Sequence, residues 1–465
     1  MTDNENIELI TGEPKKAILK LSMPIFMTLI MVFMYNLVDT IWVAGLGPDA
    51  LSAIAFVGPI YMLVLSIGNG IGAGASSLIS ISIGANDHNH ANNIGLHAIL
   101  LGGVLSIIPA LLILLYAKPI LIWIGAGNVL SYAMDYIHII FLFLFVFIYS
   151  SIGASFFRAE GNVKRATLAV FLGGILDIIL DPIFIYTFNL GMKGAAIATV
   201  ISALISCALM AYWVWIKKDN YLELTYKDFK LDLNIIKEII SLAIPDTLET
   251  TIVSALTLLL NFFIIQVSNH VSVAVFTSSM QIVQFTTIPL NAISIALLTV
   301  AGVAYGAKNF ENLRIAHSFS IRIGFLLAIV AAILMVIFAP YIATIFSYSS
   351  ESAGLTPQIA STLCILSLYV IVIPHGIMSS ALFQAIGKGL YSLILTIIKS
   401  FLLELVCIYL FCFILGWGLN GIYVGLILGS FLGSIVGYVW AKVFIINKLE
   451  KKHLKEYIHE KRSHK

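Results

Sequence analysis

The sequence predicts an all-α polytopic membrane protein with 12 transmembrane helices in two pseudo-symmetric six-helix bundles, and three observations carry that expectation. Of 465 residues, 60% are hydrophobic and only 11% are charged, with a mean hydropathy of +1.01. A soluble domain typically carries roughly 25% charged residues, so the solvent for most of this surface must be lipid. Apolar runs long enough to span a bilayer, about 20 residues, recur along the chain. Four short motifs in the first half also return, in the same order, in the second.

The runs are expected at Ala17–Ala44, Leu51–Ile83, Ile94–Tyr116, Val129–Phe156, Ala166–Phe188 and Met192–Ile216. After the polar stretch KKDNYLELTYKDFKLDL they resume at Ile235–Val267, Val271–Tyr305, Ile315–Phe346, Pro357–Phe383, Leu390–Leu415 and Leu419–Ile446. The expected organisation is therefore an N-terminal lobe at 1–216, a cytoplasmic linker at 217–234, a C-terminal lobe at 235–450 and a cytoplasmic tail at 451–465. The polar N-terminus leads straight into the first run, which reads as an uncleaved signal-anchor. Lys118 and Lys193 are the only basic residues on the loops closing successive pairs of runs, and Lys399 falls within the eleventh. The other Lys and Arg lie towards the tails and the opposite loops, so both termini are expected in the cytoplasm of a multi-pass cell-membrane protein.

The repeat is read from four matches. SMPIFMTLI at Ser22 returns as AIPDTLETT at Ala243, and IGANDHNHAN at Ile83 as YGAKNFENLR at Tyr305. FFRAEGNVKRA at Phe156 returns as LFQAIGKGLYS at Leu382, and GMKGAAIATVIS at Gly191 as GLNGIYVGLILG at Gly418. The offsets are 221, 222, 226 and 227. Six helices per copy keep both copies in the same orientation.

Within the first six runs three carboxylates are singled out: Asp39 in the first, and Asp177 and Asp181 in the fifth. An Asp at the centre of a spanning helix costs roughly 2.5–3.5 kcal/mol, so such residues face the protein interior and handle ions or protons. Asp177 and Asp181 are four apart and share a helical face. Pro182 removes a backbone N–H and frees the carbonyl of Ile178, which could bend the helix or coordinate a cation. In the second half, Glu249, Gln281 and Glu404 are candidate substrate contacts. Lys399 and Glu404 are five apart, about 140° on a regular helix, so no bond between them is expected.

Several patterns carry no chemistry. The glycines of GNGIGAG, from Gly68 to Gly74, lack the strand and the Lys-Ser/Thr of a phosphate loop and read as close helix contacts. His88, His90 and His97 have no Cys or carboxylate to complete a metal site and are expected to be solvated loop residues. Cys207, Cys364, Cys407 and Cys412 read as small packing residues. No Lys/Arg stripe suggests nucleic acid, and no metalloprotease, hydrolase or phosphatase constellation suggests an enzyme.

The residues also resemble a known family. TGEPKKAILKLSMPI, YNLVDTIWVAGLG, SIGAND, FRAEGNVKRA, LDIILDPIFIY and GAAIATVIS together resemble the multidrug and toxic compound extrusion (MATE) family, specifically its prokaryotic drug/cation antiporters. The resemblance implies a V-shaped pair of six-helix lobes exporting small amphipathic or cationic organic molecules against entry of H+ or Na+. No cofactor beyond that coupling ion is implied, and the chain is expected to act as a monomer. Asp39 matches the family's acid in the first helix. Asp181 matches the acid of an Asn-x-x-x-Asp-Pro pattern in which this chain carries Asp177 for Asn, and Thr199 and Tyr136 match hydroxyls of the same cation or proton network. Sodium, if bound, would sit at the Asp39/Asp181 cluster. Three neighbouring carboxylates cannot all ionise cheaply, so they form one coupled system. The alternative function is a flippase for a lipid-linked precursor, which would need several cations in its cavity, whereas only Lys399 is intramembrane.

Overall fold

The computed structural model describes residues 3–225, 229–346 and 353–445. The tail at 451–465, the end of the twelfth run at Ile446 and part of the linker lie outside the described residues. Helix α1 is Asp3–Thr11, followed by α2 Pro14–Ala44, α3 Pro48–Gly84, α4 His88–Trp123, α5 Leu130–Leu142, α6 Leu144–Ala159, α7 Val163–Pro182 and α8 Met192–Ala211. The second half comprises α9 Leu233–Val267, α10 His270–Thr286, α11 Ile288–Gly306, α12 Phe310–Phe346, α13 Thr356–Val372, α14 Pro374–Ala385, α15 Gly389–Ile397, α16 Leu405–Tyr409 and α17 Gly418–Val443. Among the described residues ten helices are long and apolar enough to cross a membrane, or up to twelve if each of two bent pairs is one span.

Those bent pairs correct the expectation of unbroken helices at Val129–Phe156 and Pro357–Phe383. The first bends by 53° between α5 and α6, the second by 41° between α13 and α14. Pro374 explains the second, because it has no N–H to continue the ladder. At Phe143 the run FLFLFVFI contains neither Gly nor Pro, and nothing in the local sequence marks the break. Helix α1 is a further correction to a plain polar tail. Its Asn6 and Ile10 are buried, and a Cβ on Gly161 would meet Ile10 at 2.7 Å.

The surface of α4 shows what lipid solvent does to sequence pattern. It exposes Ile107, Ile108, Leu111, Leu112 and Leu115 and buries Gly102, Ser106 and Ala117. Lipid is as apolar as Leu, so the driving force between helices is close packing of small residues. The glycines of α3 follow the same rule: added Cβ atoms would meet α6 from Gly68 and Gly72, and α9 from Gly70 and Gly74, at 2.5–3.1 Å.

The repeat is written into the backbone. Left-handed φ values occur at Asn86, Gly161, Asn189 and Gly191, and again at Lys308, Gly387, Gly416 and Gly418, which are the same positions displaced by 222, 226, 227 and 227. The cap of α4 is repeated too: Asp87 accepts the His90 N–H and Asn309 accepts the Asn312 N–H, both at 3.0 Å. By internal contacts the chain forms two compact units, Met1–Gly12 with Met23–Thr247 and Glu13–Ser22 with Leu248–Lys465. In the first, α3 packs on α4 and α6, and α7 on α8; in the second, α12 packs on α13, α11 on α14, and α17 along α16 and its flanking turns.

Candidate functional site

The carboxylate site is built on α7, which is packed closely between α2 and α8. A Cβ on Gly174 would meet Met31 at 2.8 Å and Tyr35 at 3.1 Å, and one on Gly173 would collide with the Ser206 hydroxyl. Two adjacent glycines thus let α7 approach both neighbours a turn before the first acid. Hydroxyls staple the same contacts: Thr28 donates to Thr167 at 2.8 Å, Thr167 to the Pro24 carbonyl at 3.0 Å, and Ser206 to the Ala169 carbonyl at 2.8 Å. Interhelical bonds of this kind average about 0.6 kcal/mol in a membrane. Beyond Pro182 the helix continues as a π-helical turn, Ile183–Thr187, whose Tyr186 hydroxyl donates to the Trp42 carbonyl near the end of α2.

This scaffold brings together the acids that the sequence singled out. Asp177 is 4% exposed and Asp181 fully buried; Asp39 is half-buried on α2, its carboxyl within hydrogen-bonding reach of Asp181. Asp177 lies beside Thr199 and Ser202 of α8, and Thr199 donates to the Ala195 carbonyl at 3.0 Å. Tyr136, buried on α5, is within electrostatic reach of all three acids. Oδ1 of Asp39, Oδ1 of Asp177 and both carboxyl oxygens of Asp181 are buried and, among the described residues, accept no hydrogen bond. Among the described residues no Lys, Arg or His forms an ion pair with any of them. The cluster is therefore rich in acceptors and lacks a positive charge. Among the described residues no three His, Cys, Asp or Glu side chains gather as a metal-binding group.

Three members were missed. Ser202 lies beside Asp177, and Tyr35 and Tyr61 are within electrostatic reach of Asp39 and Asp177. Tyr35 lies four residues before Asp39 and Ser202 three after Thr199, so helical spacing could have found both. Tyr61 lies on α3, and no spacing rule links it to the acids.

The second-half candidates are placed differently. Glu249 on α9 accepts the Ser380 hydroxyl at 3.1 Å, and Gln281 is exposed on α10. Glu404 is buried, accepts the Ser430 hydroxyl and faces Lys399 Nζ at 3.9 Å. This overturns the expectation that no bond joins them. Ile398–Glu404 is a π-helical turn, whose i→i+5 repeat brings residues five apart onto one face.

The histidines are also corrected. Helix α4 begins at His88, and His97 is fully buried. His97 Nε2 accepts the Asp232 N–H at 2.9 Å, and His88 Nε2 bonds the Tyr221 carbonyl at 2.7 Å; they dock the linker rather than lie in a solvated loop. Of the cysteines, Cys412 is buried but Cys364 is exposed.

Comparison with known proteins gives one consistent answer. The MatE family model matches residues 24–183 and 245–410. The multidrug export protein MepA of Staphylococcus aureus is 26% identical over 398 residues, covering 83% of this chain and 84% of MepA. A crystal structure of MATE in complex with MaL6 superposes with a TM-score of 0.93 at 34% identity, covering 96% of this chain and 99% of the other. A multidrug resistance MATE family transporter of the MOP superfamily, in an outward-facing conformation, gives 0.92 at 35% identity, with coverage of 96% and 99%. The helical architecture, its internal repeat and these likenesses agree: the chain belongs to the MATE family of multidrug transporters.

Proposed function

We propose that this chain is a secondary active exporter of amphipathic or cationic organic compounds, driven by antiport with protons or sodium ions. The observation that carries this reading is the group of buried carboxyl oxygens on Asp39, Asp177 and Asp181 that, among the described residues, no donor or cation satisfies. A buried unpaired charge is costly, so a proton or a small cation has a strong reason to occupy the site. Oxygen donors suit a hard cation; held by one or two carboxylates, it would be completed by hydroxyls such as that of Thr199, with Tyr136 closing the network.

Occupancy and helix packing are coupled through position. Asp39 belongs to α2 and Asp181 to α7. Without a positive charge between them their carboxylates repel and loosen that contact; with one they draw it tight. A ligand moves a conformational equilibrium only through such a differential interaction. In this reading two six-helix lobes alternate access across the cell membrane, with both termini cytoplasmic and one chain sufficient. Glu249 and Gln281 serve as polar substrate contacts, and Glu404 reaches a substrate only if Lys399 leaves it. A flippase reading is less well supported, since the intramembrane Lys399 already faces Glu404.

The test is efflux of a cationic dye from proteoliposomes under separately imposed proton and sodium gradients. One of the two gradients should drive export, and Asp39→Asn and Asp181→Asn should each reduce it by a factor within roughly 5–150-fold. Export that persists with neither gradient and without ATP would sink the antiport reading.

A further inference from the structure

The turn Ile398–Glu404 and the neighbouring α17 hold a polar cluster that the proposed mechanism does not use. Glu404 is 1% exposed, accepts from Ser430 and faces Lys399. The titratable groups around it are Lys399, Tyr369 of α13 and Cys407 of α16. The cluster can be mapped onto the first half. The repeat offset is 226 at Phe156/Leu382 and 227 at Gly191/Gly418, so the second half holds one extra residue in between. A π-helical turn is where a helix absorbs an extra residue, and Ile398–Glu404 has no counterpart within the regular α7. At the start of the turn, 226 carries Gly173 to Lys399; from its last residue on, 227 carries Asp177 to Glu404, Ser202 to Gly429 and Ser206 to Gly433.

The contacts follow this map. In the first half a Cβ on Gly173 would collide with Ser206; in the second a Cβ on Gly433 would meet Lys399 Cγ at 2.7 Å. Asp177 lies beside Ser202, and a Cβ on Gly429 would collide with the backbone of Glu404. The small residue has changed sides, and the space it opens holds the lysine stem.

We infer that Glu404 is the second half's counterpart of Asp177, and that its pocket is a site for one positive charge, filled in this chain by the tethered ammonium of Lys399. For its chemistry the inference rests on the reading of the acidic cluster as a cation or proton site. It follows that only the first half takes its positive charge from solution, and that a proton or sodium ion enters the second once the ammonium is removed.

The test uses the full-length protein in detergent, in a parent carrying Asp39→Asn, Asp177→Asn and Asp181→Asn. To it is added Lys399→Met, alone or with Glu404→Gln. Thermal midpoints are read from acid to alkaline pH in sodium chloride and in choline chloride of equal ionic strength. Lys399→Met should gain a condition-dependent rise of several degrees that the parent lacks, and Glu404→Gln should remove it. A rise with sodium identifies a metal ion; a rise with acid alone identifies a proton. If Lys399→Met lowers the midpoint equally under every condition, or if the dependence survives Glu404→Gln, the inference is overturned. Lys399→Gln serves if the Met variant does not fold. Should the parent fail to fold, the same variants are compared in the native background, where the contribution of the three acids cancels. A parent that responds like the wild type removes the reading of the acidic cluster and leaves the Lys399 comparison intact.

Discussion

The two halves treat the same position in opposite ways. Within α7, Gly173 leaves space, Asp177 lies beside the hydroxyls of Thr199 and Ser202, and among the described residues no Lys, Arg or His pairs with Asp177 or Asp181. In the turn Ile398–Glu404, Lys399 replaces the glycine and its ammonium faces Glu404. A repeat supplies two copies of one packing solution, and one substitution with one inserted residue decides whether the buried acid seeks its positive charge in solution or carries it covalently. On the proposed reading, that difference would confine ion coupling to one half.

The comparison can be broken most decisively at the acids. Asp39→Asn or Asp181→Asn should reduce gradient-driven dye efflux by a factor within the roughly 5–150-fold span of a 1–3 kcal/mol coupling, while Glu249→Gln leaves the dependence on the gradient unchanged. Equal losses at Asp39 and Glu249 would remove the asymmetry. The next effect is on stability. Glu404→Gln strands the Lys399 ammonium and should destabilise the protein by about 3–5 kcal/mol, whereas Glu404→Gln with Lys399→Met should recover most of it; thermal unfolding in detergent measures both. Third, Gly174→Val forces Met31 and Tyr35 aside and should cost about 1–3 kcal/mol by overpacking. Because that strain also parts α2 from α7, it should weaken cation dependence, whereas the same change at Gly127, around which a Cβ meets nothing, should not.

The smallest effect is at the linker. Asp219 pairs with Arg165 at 2.6 Å and Lys217 at 2.9 Å, and the Arg165 hydrogen bond, then Lys217, holds its carboxyl below the ordinary 3.8. A lowered folded value means that the contribution is present above the unfolded pKa and is lost as pH falls through the folded one. Asp219→Asn should therefore flatten the acid limb of the stability profile while changing neutral-pH stability by less than about 1 kcal/mol, since the pair is partly exposed. A change at neutral pH larger than that would mean the linker contributes more than its geometry indicates.

Much of the site was legible because intramembrane charge is rare. Asp39, Asp177 and Asp181 stood out against apolar runs, and the spacing of four placed two of them on one face. Tyr61 was not legible, since its nearness depends on how α3 packs and on no local pattern. His97 was misread for the same reason: a polar residue near the start of an apolar run looks solvated until the linker is seen folded over it.

The sequence by itself determined the solvent, the helical class, the repeat and the identity of the buried acids. Each of these follows from composition, period or the cost of charge in oil, and none needs a partner to be specified. Tertiary structure alone decided the bend at Phe143, the docking of the linker and the pairing of Lys399 with Glu404. That pairing turns on one residue of helical register, which packing against Gly429 and Gly433 sets and which no regular 3.6-residue period can reveal.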